Sequence, residues 1–122
     1  MILADTSVWI NHLRSEDLSL ASLLDRNEIL VHPMVIGELA CGNMRDRADV
    51  MRLLRGLPRV LVATHDEVLF LIESHRFTGL GIGFVDAHLL ASVAMMPPTR
   101  LWTNDRRLME LVDELGVAYG QP

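Results

Sequence analysis

This 122-residue chain predicts an α/β sandwich, with helices packed around a central parallel sheet. Short apolar runs that read as buried strands alternate with longer segments carrying helix start and stop signals, which is the pattern of a layered α/β domain. Half of the residues are hydrophobic, enough for one domain over residues 1–122 to enclose its own core.

The run ILAD predicts a strand from Ile2 to Ala4 leading straight into a helix from about Thr6 to Arg14. A second helix, from about Asp17 to Asp25, carries leucines at 18, 20, 23 and 24. EILVH is strand-like, and PMVIGELACG then predicts a helix. Pro33 suits a first helical turn, where a missing N–H costs nothing, and Gly42 suits the position just past the end. DRADVMRLLRGL is amphipathic, with Val50, Leu53, Leu54 and Leu57 on one face and arginines 47, 52 and 55 around it. RVLVA reads as a strand, and Thr64 with Glu67 forms a capping box for a helix to about Phe77. TGLGIG breaks the chain without G-x-G-x-x-G spacing, so no dinucleotide fingerprint is present. FVDAHLLASVAMM is helical as far as Pro97-Pro98. RLWT reads as a strand, NDRRLMELVDELG as a helix stopped by Gly116, and VAY as a last strand.

Composition removes several classes of function. MILADTSVWI contains Asp5 and is too short for a signal or membrane segment, and no other stretch could span a bilayer. A single cysteine, Cys41, permits no internal disulfide, reads as a small buried hydrophobe and fits a cytoplasmic location. The formal net charge of −5 argues against a simple electrostatic nucleic-acid binder. All eleven basic residues are arginine, which excludes the P-loop, Schiff-base and phospho-aspartate chemistries that need lysine. The five histidines show no ligand or catalytic spacing, and His88 reads as structural, as do Trp9, Trp102 and the methionines.

Four acids carry the chemistry. In α/β sheets the functional crevice lies beyond the carboxyl ends of the strands. Asp5 directly follows the first strand, and Asp105 follows RLWT after one intervening residue. Asp5, Asp86 and Asp105 could each simply favour a helix N-terminus. Glu38 differs, because it stands mid-helix among Val35, Ile36, Leu39 and Ala40, where an unpartnered charge is costly. If the four converge, a cation must hold them together. An all-oxygen donor set points to Mg²⁺ or Mn²⁺, with Asp5, Asp86 and Asp105 as ligands, and hence to metal-assisted phosphodiester hydrolysis. Thr6, Ser7, Thr103 and Asn104 are hydrogen-bonders beside these acids, and Arg106 and Arg107 adjoin Asp105 as candidate RNA contacts. Asn104 and Asp105 are adjacent, and Asp105 is favoured as the inward one. A metal-dependent phosphatase and a non-catalytic binding module are the rival readings.

ILADTSVWI, VIGELACG, FVDAHLLAS and LWTNDRRL, in that order, resemble the PIN-domain ribonucleases, and most of all the VapC-like toxins of type II toxin–antitoxin pairs. The resemblance implies a PIN-like α/β/α sandwich and an endoribonuclease dependent on Mg²⁺ or Mn²⁺. It maps the acidic cluster to Asp5, Glu38, Asp86 and Asp105, and implies products with a 5′-phosphate and a 3′-hydroxyl. It also implies a homodimer silenced by a small cognate antitoxin. The apolar segments Leu18–Leu24 and Val50–Leu57 are the expected antitoxin groove, with Leu20 and Leu54 as its test positions.

Overall fold

Ile2, Leu3 and Ala4 are apolar and buried, as a strand covered on both faces requires. In a computed structural model of the chain, which describes residues 1–15 and 18–120, they form the middle strand β1 (Ile2–Ala4). Strand β2 (Ile29–Leu30) pairs with it in parallel, Ile2 opposite Ile29 and Leu3 opposite Leu30. Strand β3 (Arg100–Trp102) pairs on the other side, Leu3 opposite Leu101 and Ala4 opposite Trp102. The order is therefore β2-β1-β3.

Helix α1 (Thr6–Arg14) leaves β1 at once. Helix α2 (Ser19–Asp25) follows, and the predicted start of that helix at Asp17 lies outside the described residues. Next come α3 (Pro33–Ala40), α4 (Arg47–Gly56) and α5 (His65–His75). Helix α6 (Phe84–Met95) precedes β3, and α7 (Arg106–Glu114) follows it. Pro33 opens α3, the Thr64–Glu67 capping box opens α5, and Gly116 at φ +72° ends α7.

RVLVA and VAY are not strands. Each contributes one parallel bridge at a sheet edge, Val31 with Arg59 and Leu101 with Ala118. Pro58 has no N–H to add to a ladder and only accepts, from Val31, while Leu61 and Val62 face solvent. Helix α5 ends two residues before Phe77, because Arg76 takes the left-handed conformation at φ +55°. Cys41 is exposed rather than buried, since it closes the short helix α3 at the surface. Met1, Met95 and Met109 are also exposed, whereas Trp9 and Trp102 are core.

The core holds one histidine pair. His32 is 0% exposed and caps α3, its Nδ1 accepting the Met34 N–H at 3.0 Å. Its ring meets the buried His88 ring edge-on, with centroids 5.8 Å apart. Burial, reinforced by His88, lowers the His32 pKa from 6.5 to about 4. The unfolded chain therefore binds this proton more readily than the folded one. The contribution of His32 is fully favourable above about pH 6.5 and is lost as pH falls towards 4, by at most about 3 kcal/mol. His32→Asn keeps a capping oxygen without the titration, so urea midpoints should fall less steeply for the variant between pH 6.5 and 4. Parallel curves would contradict this origin for the acid sensitivity.

Candidate active site

The carboxyl end of the central strand delivers the first acid. Asp5 follows β1, is 4% exposed and caps α1. Its Oδ1 accepts the Ser7 hydroxyl at 2.6 Å and the Val8 N–H at 3.0 Å, and its Oδ2 accepts the Thr103 hydroxyl. Thr103 follows β3, so its bond to Asp5 joins the ends of two neighbouring strands. Thr103 Oγ1 also accepts the Asp105 N–H at 3.0 Å, and the Asn104 N–H donates to Ser7 Oγ at 2.9 Å. Burial raises the Asp5 pKa and the Asp105 charge adds to that, against the lowering hydrogen bonds of Ser7, Thr103 and Val8.

Asp105 caps α7, with Oδ1 accepting the Arg107 and Leu108 N–H groups at 2.9 and 3.1 Å. The capping reading and the cluster reading of this residue are compatible, because Asp5 and Asp86 both respond to its charge. Asp86 stands in the first turn of α6 and accepts the Gly83 N–H at 3.4 Å. Its pKa is raised first by burial and then by the charges of Asp5, Asp105 and Glu38, with the Gly83 bond opposing. Asp5, Asp105 and Glu38 are thus each within electrostatic reach of Asp86.

Glu38 corrects one premise of the sequence reading. It is exposed rather than enclosed, and the buried residues of α3 are Val35 and Leu39. Met34 and Cys41, which helical spacing puts beside Glu38, are half-buried and exposed. That side of the helix is not enclosed, so the apolar composition suggested an interior that does not exist there. The Thr6 hydroxyl donates to Glu38 Oε1 at 2.5 Å, which ties α3 to the start of α1.

The donor set fits a hard divalent cation. It is all oxygen, and the ion pairs among the described residues, Arg26–Glu28 and Arg52–Asp49, leave these four acids without a cationic partner. No three acidic, histidine or cysteine side chains among the described residues already stand as a closed metal cage. An ion would therefore draw in side chains that have room to move, and Asp105 and Glu38 are the exposed ones.

Of the predicted arginines, Arg106 is exposed at the start of α7. Arg107 lies over the glycine loop, its Nη1 3.5 Å from the Gly81 carbonyl. Gly81 has φ +81°, and a Cβ there would come within 2.6 Å of Arg107 Nη1. Gly81→Ala should cost about 1–2 kcal/mol through the left-handed backbone and dislodge Arg107. Urea unfolding measures this, and an unchanged midpoint would refute it. Sequence reasoning missed the Gly83 N–H bond to Asp86, for which the only signal was a glycine three residues before an acid.

A PIN domain family model matches residues 2–114, and the chain belongs to that family. It is 50% identical over 121 residues, 99% of this chain and 98% of the relative, to Ribonuclease VapC32 of Mycobacterium tuberculosis, in both the CDC 1551 / Oshkosh and the ATCC 25618 / H37Rv strains.

Proposed function

We propose that this chain is a VapC-type toxin, an endoribonuclease that uses Mg²⁺ or Mn²⁺ to hydrolyse RNA phosphodiester bonds and is neutralised by a cognate antitoxin. The observation carrying the proposal is that the charges of Asp5, Asp105 and Glu38 all act on the half-buried Asp86, in a cluster with no cationic side chain paired to it among the described residues. Such a group tolerates its own charge only when a cation joins it. Asp5, Asp86 and Asp105 would hold the ion. When bound, the ion supplies an activated water and offsets the charge of the scissile phosphate.

The chain's own residues do the rest. Ser7 and Thr103 fix the Asp5 carboxylate from both sides, and the Asn104 N–H holds Ser7 in turn. Thr6 occupies Glu38 Oε1, which leaves Oε2 to take the proton of the attacking water. Arg106 can approach a flanking phosphate, and Arg107 can do so only by leaving Gly81. Attack in line leaves a 5′-phosphate and a 3′-hydroxyl.

The direct test is incubation of labelled single-stranded RNA with partner-free protein, in Mn²⁺ or in EDTA. Cleavage that needs Mn²⁺ and yields 5′-phosphate ends is expected. Cleavage persisting in EDTA, or hydrolysis of a chromogenic phosphomonoester instead of RNA, would overturn the reading.

Two partners belong to the same proposal. For the antitoxin, Leu20 and Leu54 cannot serve as test positions, because they are 1% and 0% exposed and sit in the core. Leu18 and Leu53, at 74% and 44%, are the exposed leucines of those segments. Leu18→Asp with Leu53→Asp should abolish co-purification with the antitoxin without lowering the melting temperature, and retained binding would remove this surface. For a homodimer, α5 exposes Phe70 at 73% together with Leu69, and the exposed Met95 of α6 lines the same surface pocket as Phe70. No described helix is long and apolar enough to cross a membrane.

A further inference from the structure

A cleft of 420 Å³ opens beside Glu38, which forms one of its walls. Its size lies within the range of about 300–1,000 Å³ typical of small-ligand sites. Leu39, which is buried, and the half-buried Leu13 and Met44 form an apolar floor, and the exposed Arg14 and Arg45 stand at the rim. The loop that carries Met44 and Arg45 is fastened from behind. Arg47 donates to the Ala40 carbonyl at 2.6 Å and to that of Gly42 at 3.3 Å, and Asp46 at φ +52° turns the chain into α4.

Arg47 is thus structural, and Arg52 is paired with Asp49. The guanidinium groups of Arg14 and Arg45, by contrast, make no hydrogen bond or ion pair among the described residues. Two unpaired guanidinium groups over an apolar floor, in a chain of net charge −5, set a local positive edge against an acidic background. A base is a flat apolar plate joined to an anionic backbone. Sequence-reading proteins splay single-stranded bases out, stack them on aromatic side chains or guanidinium planes and hold the phosphates with arginine forks, and extruded bases are also packed between apolar side chains.

We propose that this cleft takes one nucleobase of the RNA, from the nucleotide adjoining the scissile phosphate. The inference rests on the ribonuclease reading and adds a specificity subsite to it. The base lies over Leu13, Leu39 and Met44, and Arg14 and Arg45 hold the phosphates that flank it. Because Glu38 belongs both to this cleft and to the acidic cluster, a base seated here puts its own phosphodiester beside the carboxylates. The occupant is RNA rather than an apolar helix of a protein partner, because the rim is doubly cationic and Glu38 of the acidic cluster forms one wall of the cleft.

Cut-site mapping on single-stranded RNA of randomised sequence tests this, with Mn²⁺ present. The wild type should show a base preference at one position next to the cut. Met44→Trp fills the cleft and should flatten or change that preference. Arg14→Ala with Arg45→Ala should raise KM about tenfold with kcat within about twofold, as expected for lost phosphate contacts. Melting curves confirm folding, and if Met44→Trp does not fold the arginine pair decides alone. A wild type that cuts while both variants keep its profile and KM would overturn the subsite and leave the ribonuclease reading standing. A wild type that cuts no RNA overturns both. Variants that lose antitoxin binding but keep the cutting profile assign the cleft to the protein partner and also overturn the proposal.

Discussion

Glu38→Gln is expected to lower RNA cleavage about a thousandfold, the range for loss of a general base, with no fall in melting temperature. The reason is geometric. The Glu38 side chain is exposed and its one hydrogen bond comes from the Thr6 hydroxyl to Oε1. Glutamine keeps an oxygen for that bond and replaces the proton-accepting Oε2 by an amide that cannot accept. Kinetics on a fixed RNA substrate should show the loss in kcat with KM little changed. A variant retaining more than about a tenth of wild-type activity would remove Glu38 from the chemistry and leave it as a clasp between α3 and α1.

Asp86→Asn should make the metal-free protein more stable and the metal-saturated protein less so. Burial and three neighbouring acids raise the Asp86 pKa. A group whose folded pKa is raised contributes full stability below its unfolded pKa and loses it as pH rises through the folded value. At neutral pH, therefore, ionised Asp86 is a liability until a cation arrives, and Asp5 is raised in the same direction. Asparagine removes the repulsion. Mn²⁺ at a hundredfold excess over its dissociation constant should stabilise the wild type by about 2.7 kcal/mol and the variant by far less. Thermal melts of both proteins, with and without Mn²⁺, read all four states. An Asp86→Asn protein that melts lower without metal, or gains as much from Mn²⁺ as the wild type, would show that the cluster is not strained by charge.

The strands that position these acids were legible because β1 is a buried apolar run and β3 ends in the buried pair Leu101 and Trp102, and such runs have one reading beside alternating helices. The edges were not. Leu61 and Val62 have strand-like side chains but face solvent, and only the Val31–Arg59 bridge attaches that segment to the sheet. Glu38 was singled out for a reason that the structure corrects. Of its neighbours on α3, Val35 and Leu39 are buried while Met34 is half-buried and Cys41 exposed, and a one-dimensional pattern cannot separate the open side of an apolar helix from the enclosed one. Cys41 fails for the same cause. The hydrogen bond from Thr103 to Asp5 spans 98 positions, so only the parallel pairing of β1 with β3 brings those residues together. The resemblance carried the order of the motifs, and the sheet supplies the reason for that order: two of the four acids follow the ends of adjacent strands.

The central claim is that three aspartates from separate parts of the chain share one cation. Anomalous diffraction from crystals grown with Mn²⁺ tests it most directly. The account predicts a strong peak between Asp5, Asp86 and Asp105, bordered by Glu38. No peak there with Mn²⁺ bound elsewhere, or a peak held by only one of the three, would contradict it.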